Sequence, residues 1–189
     1  MRLTIAALLV GLVPAAAQRP ALLRDLRDHS KNLAPFVASP QPIVDRMLDL
    51  ADVKPDDTVY DLGCGDGRIL ITAAQRYKAK AVGIELSDRL VQSVNDAIKR
   101  QNLQDRVTVI QGHLLDANLT DASVVTLYLD TGSNDLLRPN LEKYLHAGAR
   151  VVSHDFEVPG WKAVKVDKIE SYNRKHTIYL YQIPQSLKK

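Results

Sequence analysis

Apolar residues recur along this chain with two spacings that alternate from residue 43 onward. The segment "IVDRMLDLAD", which begins at Ile43, has them every three or four positions, which predicts a helix with Pro42 in its first turn. Residues 58–62 instead form a nearly continuous apolar run, which is typical of a strand buried on both faces. Because this alternation is repeated further along, the pattern predicts a parallel sheet covered by helices on both faces.

The predicted elements follow one another in strand–helix order. Strands are expected at 58–62, 81–85, 106–111, 123–129 and 149–153, and helices at 68–77, at 88–100 with Ser87 or Asp88 as the N-cap, and at 134–144. The order changes at the end, where "WKAVKVDKIE", the turn "SYNRK" and "HTIYLYQI" predict an antiparallel hairpin. We therefore expect an α/β, Rossmann-like fold with a mostly parallel seven-stranded sheet that ends in a C-terminal antiparallel hairpin.

The first residues have a different pattern. In "MRLTIAALLVGLVPAAAQRP", Arg2 precedes an apolar run from Leu3 to Val13, and small residues follow. This is the layout of a bacterial secretory signal, with cleavage before Gln18. The run is short for a membrane-spanning helix. The alternative interpretation is a buried N-terminal helix.

The remainder divides into a lead-in, one domain and a tail. Residues 18–33 are polar and mixed in charge, which predicts a short lead-in helix. The next segment, "APFVASPQP", contains three prolines and predicts a rigid extended stretch. We expect a signal-like segment at 1–17, the lead-in helix at 18–33, one domain at 34–184 and a tail at 185–189.

Composition narrows the function classes. A chain of 189 residues is long enough for one well-buried domain. Its formal charge is +3, from 25 basic and 22 acidic residues, and this excess is too small and too dispersed to indicate a nucleic-acid partner. The single cysteine, Cys64, excludes an intrachain disulfide, so the fold depends on its core.

A glycine-rich segment, "VYDLGCGDGR" at 59–68, joins the first predicted strand to the first predicted helix. Gly63, Gly65 and Gly67 allow a ligand to approach the backbone closely. A Walker-type phosphate loop requires Gly-Lys-Ser/Thr, and here Arg68 follows Gly67. The dinucleotide fingerprint G-x-G-x-x-G also fails, because Arg68 stands at its third glycine.

Acidic residues indicate the charge of the ligand. Asp61 and Asp66 would repel a pyrophosphate and attract a ligand with an amino group and a sulfonium centre. Glu85 ends the second predicted strand, where an acid accepts hydrogen bonds from both hydroxyls of a ribose. The alternative for Glu85 is a solvent-exposed carboxylate at a strand end. The pattern favours a positively charged nucleoside without phosphate.

With these residues in place, "VYDLGCGDGR" and "AVGIEL" resemble class I S-adenosylmethionine-dependent methyltransferases, over about 150 residues. A narrower likeness rests on the segment that runs from "PFVASPQP" to "GRILITAA", on "VVTLYL" and on "ARVVSHDF". These segments are similar to a group of bacterial proteins and to the mitochondrial lysine methyltransferase that modifies the ATP synthase c subunit. The resemblance implies S-adenosyl-L-methionine as the cofactor and protein-lysine N-methylation as the activity.

The resemblance also implies which residues contact the cofactor. The glycine loop would hold the methionine part, Glu85 the ribose, and His113 with Leu114 would border the adenine. Many relatives have an aspartate at the place of His113, where it can accept a hydrogen bond from the adenine amino group. Neutral His113 could accept this bond through a ring nitrogen, or Asp116 could accept it instead. Phe36 would cover the cofactor, or else be a core anchor. The predicted cofactor residues are Asp61, Gly63, Cys64, Gly65, Gly67, Glu85, His113, Leu114 and Phe36. We interpret Cys64 as a small loop residue and not as a nucleophile.

The catalytic residues are expected in "LYLD", at the end of the fourth predicted strand. In this fold the acceptor amine meets the methyl group there, so Tyr128 and Asp130 are predicted to orient and deprotonate the acceptor. The alternative for Tyr128 is simple packing in a buried strand. His154 and Asp155 end the fifth strand and are candidate substrate contacts, but their spacing offers too few ligands for a metal site.

Two other functions remain open on sequence grounds. One is a small-molecule methyltransferase on the same scaffold, and the other is an exported nucleoside-binding module that has lost catalysis. The chain has almost no insertions that would enclose a small substrate, which favours a protein segment as acceptor. A membrane-embedded protein is one such acceptor. The signal-like segment indicates a periplasmic or membrane-associated protein. The cytoplasmic side is the alternative, because the cofactor is made in the cytosol.

Overall fold

The computed structural model describes residue 33 and residues 36–187. The predicted signal-like segment at 1–17 and nearly all of the predicted lead-in helix at 18–33 lie outside the described residues. None of the described helices has the length and apolar character needed to cross a membrane. The helices and strands are, in chain order, α1 Gln41–Leu50, β1 Thr58–Leu62, α2 Arg68–Arg76, β2 Lys80–Glu85, α3 Asp88–Arg100, β3 Val107–Gln111, β4 Val124–Leu127, α4 Thr131–Tyr144, β5 Arg150–His154, β6 Lys165–Ser171 and β7 Arg174–Gln182.

The strands form one seven-stranded sheet in the order β3-β2-β1-β4-β5-β7-β6. Neighbours among β1 to β5 are parallel, and β7 runs antiparallel to both β5 and β6. The predicted fold class is therefore confirmed. The final hairpin is tighter than the sequence indicated, because Tyr172 and Asn173 alone make the turn, with left-handed φ values of 49° and 60°.

Buried side chains form two clusters, one on each face of the sheet. The helices α1, α2 and α3 cover the first face, and α4 covers the second. Alternate strand residues serve the two faces, so that Val59 belongs to the first cluster and Tyr60 to the second. This arrangement explains why the strands read as nearly continuous apolar runs.

Two boundaries differ from the prediction around residue 128. Strand β4 ends at Leu127, and α4 begins at Thr131, three residues earlier than expected. The reason is Asp130, whose side chain accepts a hydrogen bond of 2.7 Å from the Ser133 backbone amide and so caps the helix. Tyr128 consequently lies in a loop at the carboxyl edge of the sheet. A short 3-10 helix at Leu114–Asp116 was not predicted.

Gly67 makes the transition from the glycine loop to α2 with a left-handed φ of 76°. A Cβ atom at this position would lie 2.5 Å from Cγ1 of Val94 on α3. Gly67→Ala therefore combines backbone strain with a steric clash. We expect the substitution to lower the free energy of unfolding by about 2–4 kcal/mol, measured by denaturant titration.

Gly112→Ala is the matched control for this substitution. No heavy atom lies within 4 Å of a Cβ built at Gly112, and its backbone is not left-handed. Its free energy of unfolding should change by less than about 0.5 kcal/mol. Equal losses of stability in the two variants would contradict the steric and conformational explanation.

Candidate active site

A cleft of about 250 Å³ opens at the carboxyl ends of β1, β2 and β4. Its walls come from the extended segment at 36–39, the glycine loop, the end of β2 and the loops after β3 and β4. The predicted site residues that line it are Phe36, Asp61, Gly63, Cys64, Gly65, Glu85, His113, Leu114 and Tyr128. Gly67 and Asp130 lie outside its lining. The structure thus brings together most of the residues that the sequence indicated, from five separate segments.

The glycine loop is held against β2 by its own backbone. The amides of Gly63 and Cys64 both donate to the carbonyl oxygen of Ile84, at 2.9 and 3.0 Å. A Cβ atom at Gly65 would lie 2.4 Å from the ring of Phe36, so the ring and the loop are in direct contact only because no side chain intervenes. Phe36 is 53% exposed, which excludes the core-anchor interpretation. Its function as a cover for the cofactor stays a prediction.

Glu85 is oriented by two backbone amides. Its Oε2 atom accepts from Gly65 at 3.0 Å and its Oε1 atom from Ser87 at 2.9 Å. Each carboxylate oxygen has a further lone pair. The group can therefore accept two hydroxyl hydrogen bonds while it stays fixed at the end of β2, as a ribose-binding acid requires.

Asp61 is a buried carboxylate at the base of the cleft, with only 4% of its surface exposed. Burial raises its pKa to about 7, an effect that a 2.7 Å hydrogen bond from the Thr126 hydroxyl opposes and the negative charges of Asp66 and Glu85 reinforce. A cationic ligand group beside Asp61 would stabilise its ionised form. The site therefore favours a ligand that carries positive charge.

Asp66 contributes less to this attraction than we predicted, because Arg68 partly compensates its charge. The guanidinium Nε atom lies 2.9 Å from Oδ1, and the Arg68 backbone amide donates to the same oxygen at 3.2 Å. Burial tends to raise the pKa of Asp66, but the hydrogen bonds from Arg68 outweigh it and hold that pKa below its usual range. Arg68 also donates to the carbonyl oxygen of Ser39 at 2.7 Å, which fastens the extended segment to the loop.

His113 lines the cleft, but one of its ring nitrogens already accepts a hydrogen bond from the backbone. Its Nδ1 atom accepts a hydrogen bond of 3.3 Å from the Leu115 backbone amide. A neutral imidazole then carries its proton on Nε2, which makes this nitrogen a donor. The contact of His113 with adenine stays a prediction. Asp116, our proposed substitute, is exposed and outside the cleft lining.

Cys64 is buried in the loop, with only 5% of its surface exposed. Burial raises the pKa of its thiol, with the negative charge of Asp61 adding to the effect. The sulfur packs against β2, 2.6 Å from the place of a Cβ atom at Gly83. A protonated, packed thiol is a poor nucleophile, which agrees with its interpretation as a small loop residue.

Tyr128 lies on the cleft wall, and its ring stacks on the imidazole of His154 with centroids 3.9 Å apart. It is half-buried in a loop and not inside a strand. Its function in orienting the acceptor stays a prediction.

The geometry does not support our prediction for Asp130. Its carboxylate caps α4, and hydrogen bonds from the backbone amides of Ser133 and Gly132 lower its pKa. A carboxylate outside the cleft with a lowered pKa is a poor base for the acceptor amine.

A buried network next to Tyr128 was not predicted. Ser39 Oγ lies 2.8 Å from His154 Nδ1, and His154 Nε2 lies 2.8 Å from His176 Nδ1. Burial lowers the pKa of His154 to about 4, so this imidazole is neutral at neutral pH. Ser39 is 115 residues from His154 in sequence. The sequence carried one signal of this network, the period-two alternation of β7. It places His176 on the same face as buried Ile178.

Comparisons with known proteins show which family the chain resembles. A family model described as the ANTKMT methyltransferase domain matches residues 61–165. The chain is similar to a protein-lysine N-methyltransferase of Saccharolobus islandicus, with 45% identity over 79% of this chain and 93% of that protein. It is also similar to the adenine nucleotide translocase lysine N-methyltransferase of Mus musculus, with 33% identity over 74% of this chain and 62% of the mouse protein.

Among solved structures, the chain resembles an RNA methyltransferase from Salinibacter ruber in complex with S-adenosyl-L-homocysteine. The TM-score is 0.75 and the identity 42%, over 81% of this chain and 97% of that structure. The family model covers more than half of the chain and includes both Asp61 and Glu85. These matches, to a family model over more than half of the chain and to a relative with 45% identity, show that the chain belongs to the family of the ANTKMT methyltransferase domain.

Proposed function

We propose that this protein transfers methyl groups from S-adenosyl-L-methionine to a lysine side chain of another protein. The observation that carries the proposal is the 45% identity, over 79% of this chain and 93% of the relative, to a protein named as a protein-lysine N-methyltransferase. The cleft supports it, because the glycine loop lies beside Glu85, whose carboxylate is oriented to bind a ribose, and beside the buried carboxylate of Asp61.

The residues of the cleft fit the cofactor by charge and by shape. Gly63 and Gly65 leave backbone atoms accessible, Glu85 offers carboxylate oxygens to the ribose, and Asp61 offers negative charge to the amino group. When it is bound, S-adenosyl-L-methionine supplies an electrophilic methyl group on a sulfonium sulfur. The protein's contribution is to hold the acceptor in line with that group, since positioning can supply a large part of such a rate enhancement.

A lysine acceptor must lose a proton before it can react, because an ammonium has no lone pair. Removal from water lowers a lysine pKa, and the mouth of the cleft can provide this through three exposed apolar residues. Phe36, Val37 and Leu86 are 53%, 56% and 37% exposed, and all three line the cleft. Tyr128 can then orient the neutral amine through its hydroxyl oxygen.

The same apolar rim supports a protein segment as the substrate. Exposed apolar residues around a cleft are typical of surfaces that bind another protein or a membrane. As a finer proposal, the acceptor lies in a membrane-embedded protein, which would match the translocase named in the mouse relative. A small-molecule acceptor is the alternative, and the open rim with its exposed apolar residues favours it less.

An RNA acceptor is a second candidate, because the similar structure from Salinibacter ruber is described as an RNA methyltransferase. The small formal charge of +3 argues against it. The test is transfer of isotope-labelled methyl groups from S-adenosyl-L-methionine into an extract of the source organism. The extract is then divided into protein, RNA and small-molecule fractions.

We expect label in protein, recovered as methyllysine after hydrolysis and removed by protease but not by ribonuclease. The Glu85→Gln variant should lower this labelling more than tenfold through loss of a charge-assisted ribose contact. Label that is recovered in RNA or in small molecules would replace the protein acceptor with that class.

We propose that residues 1–17 act as a secretory signal, with retention on the cytoplasmic side as the alternative. The basic second residue and the apolar run support export, and the cytosolic origin of the cofactor supports the alternative. Residues 1–30 can be fused to a reporter enzyme that is active only outside the cytoplasm. Activity is expected if the segment directs export, and an inactive reporter would refute this proposal.

The raised pKa of Asp61 predicts how cofactor affinity depends on pH. Protonated Asp61 cannot attract the amino group, so affinity should increase as pH rises through about 7 and binding should release a proton. Between about pH 8 and about pH 6 we expect affinity to fall by up to about tenfold. Calorimetric titration in buffers of different ionisation enthalpy measures both quantities.

Two variants separate Asp61 from Glu85 in this experiment. Asp61→Asn should bind weakly with little dependence on pH. Glu85→Gln should bind weakly at every pH and keep a dependence on pH, because it loses a ribose contact and retains the titrating group. The midpoint of that dependence should move to lower pH, since the charge of Glu85 is one of those that raise the pKa of Asp61. An unchanged pH dependence in Asp61→Asn would show that another group controls the affinity.

A further inference from the structure

Three metal-binding side chains meet at the end of β5, next to the cleft. His154 Nε2 and His176 Nδ1 are 2.8 Å apart. Asp155 Oδ2 lies 3.4 Å from the first nitrogen and 3.3 Å from the second. The side chains of the two histidines are almost fully buried, and that of Asp155 is only 12% exposed. In the sequence, His154 and Asp155 alone offered too few ligands for a metal ion. Strand β7 brings His176 to them as the third.

The three separations fit a single ion. A tetrahedral Zn²⁺ with bonds of about 2.0–2.1 Å holds its ligand atoms about 3.3 Å apart. Both distances to Asp155 have this value, and the two imidazoles need to separate by only about half an ångström to reach it. One proton can bridge two of these three atoms, whereas an ion can accept a lone pair from all of them.

The surrounding groups have the arrangement that metal ligands need. A metal-bound imidazole usually donates its other N–H to an oxygen, and Ser39 Oγ lies 2.8 Å from Nδ1 of His154. The second oxygen of Asp155 accepts from the Thr177 backbone amide at 2.9 Å, which orients the carboxylate. Asp155 has a left-handed φ of 61°, a strained conformation that is often found at functional sites.

We propose that His154, Asp155 and His176 bind a divalent transition-metal ion, with a fourth coordination position open to water or to another ligand. Two imidazoles and a carboxylate suit Zn²⁺. The ion would fix the imidazole on which Tyr128 stacks and the contact of His154 with Ser39, and both Tyr128 and Ser39 line the cleft. The site therefore adjoins the cofactor cleft without sharing its ligands, and it does not depend on the proposed acceptor.

The test is Zn²⁺ affinity of the full chain, measured by competition with a chromophoric chelator in the absence of cofactor. Co²⁺ provides a second readout, because a tetrahedral site gives intense visible absorption. We expect one ion per chain. Asp155→Asn and His176→Asn should each weaken Zn²⁺ binding by more than about tenfold, since even the loss of an outer-shell partner has an effect of this size.

Two further variants distinguish a built site from surface binding. Arg174 lies 3.1 Å from Asp155 Oδ2, with 62% of its side chain exposed, and its positive charge opposes the ion. Arg174→Gln should therefore tighten Zn²⁺ binding by roughly threefold, a gain that corresponds to an exposed charge pair. His146→Ala is the control, because His146 is exposed and its Nδ1 contacts the neighbouring Ala147 carbonyl oxygen.

Arg174→Gln still gives a result if Asp155→Asn or His176→Asn fails to fold. Arg174 is on the surface, so Arg174→Gln tests the site without disturbing the core. No Zn²⁺ binding by the full chain would overturn the proposal. Binding that is equal in the wild type, Asp155→Asn and Arg174→Gln would also overturn it and would assign the ion to surface histidines.

Discussion

The turn between β1 and α2 is the constraint on which the site depends. Its three glycines all have left-handed φ values, between 55° and 83°, and the turn is fixed to β2 by hydrogen bonds to the Ile84 carbonyl oxygen. Because Gly65 has no side chain, Phe36 can approach the loop from the extended segment. Because Gly67 has none, α3 can pack through Val94. The loop amide of Gly65 then reaches Glu85 and orients its carboxylate.

This geometry places negative charge where it is unfavourable for the protein alone. Asp61 is buried beside the loop, and burial raises its pKa to about 7 from an ordinary value of 3.8. A folded-state pKa above the unfolded value means that its contribution to stability is complete below about pH 4 and is lost as pH rises through about 7. Near neutral pH the protein therefore holds a carboxylate that a positive ligand group can stabilise. Asp66 is less suited to this, because Arg68 partly compensates its charge and uses the same guanidinium to hold Ser39.

The fold was predictable because its signals are local. Parallel strands buried on both faces gave continuous apolar runs, and the elements between residues 58 and 111 lie within one or two residues of their predicted bounds. The shared position of Gly63, Gly65 and Glu85 in one cleft was predictable for the same reason, since these residues belong to consecutive elements. Asp130 was misinterpreted because an aspartate before a helix can be a base or a cap, and only the 2.7 Å contact with Ser133 distinguishes them. The contacts among Ser39, His154 and His176 depend on tertiary pairing, and the local alternation of β7 indicated only that His176 is buried.

The sheet order explains why the residues of the cofactor cleft and the histidine cluster lie next to each other. The chain turns from β3-β2-β1 to β4-β5 at the boundary between β1 and β4, and a crevice forms where strand order reverses in this way. The antiparallel β7 then lies beside β5, which brings His176 to the end of the strand that carries His154. Tyr128, at the end of β4, stands between the two groups and stacks on His154. The cofactor cleft and the histidine cluster therefore share one wall, which is the ring of Tyr128 stacked on His154.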